Sequence, residues 1–236
     1  MRRHGERALT TLMNYAQLAN NVYNAQLHKG ATLDTETIGV KTTWKVTEWR
    51  AATTEGFQGA IFESGEEIVC AFKGTGASNT DDGGGTMWED IKADARLTFW
   101  MKPKQLAEAA ALAKVGKFLG GASKKPLSIV GHSLGGALAQ GVGHTTGLPF
   151  VTFNAPGMRS NMAFTDAAAK IRGFNFILVS DPIGNFGFHV GETERFRTPW
   201  MFIPGPGGWI AHSMTTVLNK LKDSPKWAKK TIDELC

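Results

Sequence analysis

The chain has only two cysteines in 236 residues, Cys70 and Cys236. A disulfide framework needs more, so the fold must rest on a buried core. No Cys/His run has the spacing of a zinc site, and Asp81-Asp82 lacks an EF-hand pattern and reads as a solvated loop. No metal and no cofactor is therefore expected. Long apolar runs are missing as well, and none approaches the length that spans a bilayer. The basic opening Met1-Arg-Arg-His-Gly-Glu-Arg7 leads into no apolar signal core, because Asn14, Gln17, Asn20 and Asn21 interrupt residues 8–24. The expectation is a chain that is cytoplasmic or exported by a signal-less route, with peripheral contact to a membrane. Acidic excess is absent too: the formal net charge is +5. Lys220, Lys222, Lys226, Lys229 and Lys230 concentrate that charge near the end. They read as a solvated helix face, so no nucleic-acid partner is expected. No repeat or linker divides the chain, and its length suits one α/β domain over residues 1–236. Composition says nothing of oligomeric state.

What is present is concentrated in Leu127-Ser-Ile-Val-Gly-His-Ser-Leu-Gly-Gly-Ala-Leu-Ala139. A short apolar, β-branched run meets Gly131-His-Ser133-Leu-Gly135 and continues into a small-residue helix. This is Gly-x-Ser-x-Gly in the strand-turn-helix context of a nucleophile elbow. The strand carries Ser133 to a sharp turn, and side chains at 131 and 135 would collide across it. The helix that follows aims its N-terminus at the serine, where negative charge develops in acyl transfer.

Around this centre the periodicity predicts a helix over 8–24 and strands over 44–49, 57–63 and 68–72, with an antiparallel meander among them. Residues 73–86 are polar and glycine-rich and read as a long loop. A short helix is predicted over 87–95 with Thr86 as its cap, and an alanine-rich one over 105–119 ending at Gly120-Gly121. Strands follow over 149–153, 174–179 and 194–198, then helices over 210–221 and 225–235, the last with Ser224 as cap and Pro225 at its first position. Strand and helix alternate after residue 105. That pattern implies a mixed, mostly parallel central sheet with helices on both faces. Ligands bind such sheets at the carboxyl ends of the strands, where the elbow puts Ser133.

A serine hydroxyl needs a base, and the base needs an orienting acid. Asp181 directly follows the apolar run Phe176-Ile-Leu-Val-Ser180, and Pro182 stops that strand. His212, at the start of a late helix, completes the order Ser, Asp, His. His189 is the rival base, only a short loop beyond Asp181. His132 lies inside the elbow and faces away from the serine. His144 is about three turns into the next helix, too far back. One oxyanion donor should be the N–H of Leu134, the residue after the nucleophile. Thr75, at the exit of the strand Ile68–Phe72, offers the second. Two apolar clusters suit an acyl site: Leu97-Thr-Phe99-Trp-Met101, and Trp200 to Trp209 just before His212. In residues 76–95, Trp88 and Ile91 share a helix face that can cover an apolar groove, so this segment is the candidate lid.

Ala71-Phe-Lys-Gly-Thr75, Gly131-His-Ser-Leu-Gly-Gly-Ala-Leu138, Thr152-Phe-Asn-Ala-Pro-Gly157 and Asp181-Pro-Ile183 together resemble the class 3 lipases, the fungal triacylglycerol-lipase type of α/β-hydrolase. The opening helix with Tyr15-Ala-Gln-Leu-Ala-Asn20 is similar to the start of that domain. The resemblance runs from about residue 8 to residue 220. It implies a metal-free serine esterase acting on lipid acyl esters, with Ser133 as nucleophile, Asp181 as orienter, His212 as base, Thr75 and Leu134 as oxyanion donors, and a lid helix at Met87–Asp94. This sequence departs from the family in its glycine-rich insertion, in Lys73 where arginine is usual, and in lacking a secretory signal. A basic, signal-less lipase domain also resembles the lipase effectors that bacteria deliver into rival cells, which implies a cognate inhibitor protein.

The reaction expected is hydrolysis of lipid carboxylic esters through an acyl-enzyme, of the phospholipase A or acylglycerol lipase type. The basic charge favours anionic membrane lipid. The alternatives are a thioesterase or short-chain esterase with the same three residues, and a catalytically silent hydrolase fold used for binding.

Overall fold

A computed structural model describes residues 10–74, 103–159, 171–198 and 210–236. Among these residues eight strands form one sheet, side by side in chain order: β1 (Thr32–Thr37), β2 (Val40–Arg50), β3 (Gly59–Glu63), β4 (Ile68–Phe72), β5 (Leu127–His132), β6 (Phe150–Phe153), β7 (Gly173–Leu178) and β8 (Glu192–Phe196). The pairings from β1 to β4 are antiparallel, and those from β4 to β8 are parallel. Helix α1 (Leu12–Asn21) precedes the sheet. α2 (Pro103–Ser123) lies between β4 and β5 in the chain, and α3 (Leu134–Thr146) lies between β5 and β6.

Strands β4 to β7 are buried at every residue. Apolar runs without polar alternation are what a sheet covered on both faces requires. Successive residues still serve opposite faces. Val69, Ala71, Val130, Val151 and Phe153 pack into one core with α1 and with α4 (Met214–Lys222). Ile68, Cys70, Phe72, Ile129 and Phe150 pack into a second core with α2 and α3. Among the described residues no helix is long and apolar enough to cross a membrane.

The elements depart from the sequence expectation where tertiary contacts override local pattern. β1 was not expected: Thr32-Leu-Asp-Thr-Glu-Thr37 is a polar edge strand with no apolar alternation to mark it. Its pairing also lengthens β2 beyond 44–49. α1 starts later than residue 8, where Thr11 caps it and the Asn14 side chain reaches back to the Thr11 N–H at 3.0 Å. α2 runs through Gly120-Gly121. Gly120 serves close packing there, since a Cβ on it would stand 2.9 Å from the Lys125 carbonyl oxygen. The chain turns at Lys124, with φ 55°. The single helix expected over 225–235 is two, α5 (Pro225–Ala228) and α6 (Ile232–Leu235). Thr231 interrupts them because it pairs with Thr11 and caps α6. The expected helix over 87–95 lies outside the described residues.

At the amino end of the sheet the Glu67 carboxylate is buried. The Tyr15 hydroxyl donates to its two oxygens at 2.8 and 3.0 Å, and Ser128 Oγ donates at 2.5 Å. Burial raises this carboxyl above the usual range despite those donors. A pKa raised on folding contributes stability that is complete below the unfolded value and is lost as pH rises through the folded one. As pH rises above the ordinary glutamate value, the native chain should therefore lose stability in denaturant unfolding relative to Glu67→Gln, which cannot ionise. Parallel stability curves for the two proteins would remove Glu67 as the titrating group.

Candidate active site

The carboxyl edge of the parallel strands collects the candidate residues. β5 ends at His132, and Ser133 follows in a backbone conformation of φ 57° and ψ −130°. That pair lies outside the helical, extended and left-handed regions and is strained for a residue with a Cβ. The strain persists because neighbours overdetermine it. The Ser133 N–H donates to the Phe153 carbonyl at 3.1 Å, and its own carbonyl accepts from Gly136 and Ala137 in the first turn of α3. The glycines beside it are sterically required. A Cβ at 131 would fall 2.3 Å from the Gly135 backbone, and one at 135 would fall 2.1 Å from the Phe72 carbonyl oxygen. Leu134 opens α3, so its N–H is one of those no helical turn can take.

Asp181 follows β7 in a tight turn, its N–H donating to the Leu178 carbonyl at 3.0 Å. Its carboxylate is fully buried and accepts the N–H groups of Ile183 at 3.0 Å and Gly184 at 2.9 Å. His212 stands between this carboxylate and Ser133. Its Nδ1 lies 3.0 Å from both Asp181 oxygens, and its Nε2 lies 2.8 Å from Ser133 Oγ. A carboxylate only accepts, so Nδ1 carries the proton in the neutral ring and Nε2 is left as the acceptor for the serine hydroxyl. All three side chains are withdrawn from water. A hydroxyl held in this way can pass its proton to the imidazole as it attacks a carbonyl carbon.

The rival histidine faces elsewhere. His189 Nε2 donates to the Ala155 carbonyl at 2.8 Å, and burial lowers its pKa. Three residues support the site in ways the sequence reading does not assign, His132 being set aside there only as a base. His132 donates from Nε2 to the backbone carbonyl of His212 at 2.7 Å, and its ring centroid lies 4.7 Å from that of His212. Burial, then the neighbouring His212, push the His132 imidazole down to about 3, so the ring is neutral. Tyr23 meets His132 Nδ1 at 3.1 Å. Asn154, at the end of β6, donates to the Ala211 carbonyl at 2.8 Å and accepts from the Leu178 N–H at 2.9 Å. Only their place inside the motifs Gly131–Gly135 and Thr152–Gly157 could have marked His132 and Asn154. Thr75, Trp88, Ile91, Phe99, Trp209 and the candidate lid 76–95 lie outside the described residues. Exposed apolar side chains occur instead at Val179, Phe186, Phe188 and Ile210, close in sequence to Asp181 and His212.

A family model described as a Tle-like phospholipase domain matches residues 14–179. The chain belongs to the Tle-like phospholipase family. Ser133 falls inside the span matched by the Tle-like domain, and Asp181 and His212 lie beyond it. The extracellular phospholipase A1 of Serratia liquefaciens is 34% identical over 119 residues, which cover 49% of this chain and 33% of that protein. The aligned stretch thus spans about a third of that relative's length. Among solved structures, the Rhizomucor miehei lipase propeptide complex matches with a TM-score of 0.50 and 17% identity, over 77% of this chain and 66% of that one. That likeness is one of fold. Together with the mixed sheet and its two helical layers, it gives this Tle-like chain the α/β-hydrolase fold.

Proposed function

We propose that this chain is a carboxylic ester hydrolase that cleaves lipid acyl esters through an acyl-enzyme on Ser133. The observation that carries the reading is the buried line from Ser133 Oγ to His212 Nε2 at 2.8 Å and from His212 Nδ1 to Asp181 at 3.0 Å. Ser133 Oγ attacks the ester carbonyl carbon while His212 Nε2 takes its proton. Asp181 holds the ring in the tautomer this needs and stabilises the imidazolium that forms. The tetrahedral oxyanion is met by the Leu134 N–H at the start of α3, with Thr75 as second donor. Collapse breaks the carbon–oxygen bond to the leaving alcohol, which takes the proton back from Nε2. Water then attacks the acyl group with the same base, the fatty acid departs, and the serine is restored.

The family supports a lipid ester as substrate, and the Serratia relative's name favours a phospholipid over a neutral glyceride. Phe188, 72% exposed, together with Phe186, Ile210 and Val179, supports contact with a lipid surface near the site. The eight strands of one sheet support reading residues 1–236 as one domain.

The test is mass spectrometry of phospholipid vesicles and of neutral-lipid emulsions incubated with the protein, beside labelling by a fluorophosphonate probe. Free fatty acid with lysophospholipid, and probe on Ser133, are the expected results. Labelling without release from either lipid would turn the reading to a thioesterase or short-chain esterase. No labelling at all would leave a silent binding fold.

A further inference from the structure

His132 and Asn154 hold the backbone of the base from two sides. Ala211 and His212 are consecutive, and both of their carbonyls are taken by buried side-chain donors. Asn154 Nδ2, at the end of β6, serves Ala211, and His132 Nε2, at the end of β5, serves His212. The strand alternation explains why His132 is available. It shares a face with Val130, the face covered by α1, while the chain turns away at Ser133. Tyr23, just past the end of α1, is buried against it.

The direction of each hydrogen bond follows from its chemistry. The His212 carbonyl can only accept, so His132 Nε2 carries a proton, and in a neutral ring Nδ1 is then the acceptor. The Tyr23 hydroxyl therefore donates to Nδ1 at 3.1 Å, and its oxygen accepts the Gly74 N–H at 2.9 Å. The line runs one way, from Gly74 to Tyr23 to His132 to the His212 carbonyl. Gly74 is fitted to it: a Cβ there would stand 2.6 Å from the Tyr23 hydroxyl and 3.0 Å from the Ser133 Cβ. Gly74 is also the second residue past β4, which runs parallel to and directly beside β5, the strand that Ser133 follows.

We propose that His132 is a positioning residue for the base: its Nε2–H fixes the His212 backbone so that the imidazole meets Ser133, and Tyr23 sets the tautomer that makes this donation possible. The inference rests on the proposed roles of Ser133 and His212. A ring that merely filled space could be replaced by any apolar side chain of similar size. A ring that positions the base needs its donor, and a base displaced by even 1 Å costs turnover more than binding.

The experiment measures kcat and KM for a soluble short-chain p-nitrophenyl ester in His132→Leu, His132→Gln, Tyr23→Phe and Ser133→Ala, each checked for folding by circular dichroism. His132→Leu should lower kcat roughly 10- to 100-fold with KM within about twofold. His132→Gln keeps an N–H near the position of Nε2 and should recover most of that loss. Tyr23→Phe should lower kcat in the same sense, by less. It decides the matter alone if His132→Leu does not fold, and unchanged kcat there would overturn the proposal. Wild-type turnover in folded His132→Leu, or equal losses in the Leu and Gln variants, would also overturn it. Ser133→Ala separates the two levels. Activity in that variant removes the nucleophile and the positioning role with it, whereas an inactive Ser133→Ala beside a fully active His132→Leu removes the positioning role only.

Discussion

Ser133→Ala is expected to lose ester turnover by about 10^6-fold in kcat, the loss typical when a serine nucleophile is removed from such a set. The fold should survive it. Among the described residues the hydroxyl contributes one hydrogen bond, to His212, and the elbow is held by backbone contacts to Phe153, Gly136 and Ala137 that alanine keeps. Alanine also keeps the Cβ and with it the strain of φ 57°. Ser133→Gly removes both hydroxyl and Cβ. It should be as inactive as alanine but more stable than it by about 1–3 kcal/mol, the strain a non-glycine residue stores in such a conformation. Turnover and urea unfolding of the two variants check both statements. An active alanine variant would dismiss Ser133 as nucleophile, and equal stabilities would mean that the elbow stores no strain.

His212→Ala is the second large effect. Losing the base should cost about 10^4- to 10^6-fold in kcat, whereas His189→Ala should cost less than about tenfold. The contrast follows from the partners of each ring. His212 spans Asp181 and Ser133, and His189 is turned to the Ala155 carbonyl. His212→Ala also leaves the buried Asp181 carboxylate without its imidazole partner, with the Ile183 and Gly184 N–H groups remaining among the described residues, so some stability should go with the activity. Steady-state kinetics on one soluble ester decide the ranking. The reverse order would transfer the base to His189.

Much of this architecture was legible because it is local. The buried strands β4 to β7 are apolar runs bounded by turn residues, and the elbow writes strand, turn and helix into the thirteen residues 127–139. β1 escaped because an edge strand with one wet face needs no apolar run. Residues 225–235 read as one helix because the bridge from Thr231 to Thr11 joins opposite ends of the chain. Thr11 as the start of α1 was missed for a related reason. Its hydroxyl also meets Thr37 at 2.8 Å, a contact that no window of sequence contains.

By itself the sequence determined the strand-helix alternation and the site of the elbow, which depend on neighbours a few residues apart, and it put forward the order Ser133, Asp181, His212. It favoured His212 over His189 by that order alone, and the partners of each ring, Asp181 and Ser133 for His212 and the Ala155 carbonyl for His189, come from the tertiary structure. The sequence did not reveal the hydrogen bonds of His132 and Asn154 to the His212 and Ala211 carbonyls either. Those contacts join residues separated by 80 and 57 positions, and Tyr23 meets His132 across 109. They exist only once β5, β6 and β7 stand in register, because that register brings three strand ends, and the turns that leave them, to one edge of the sheet.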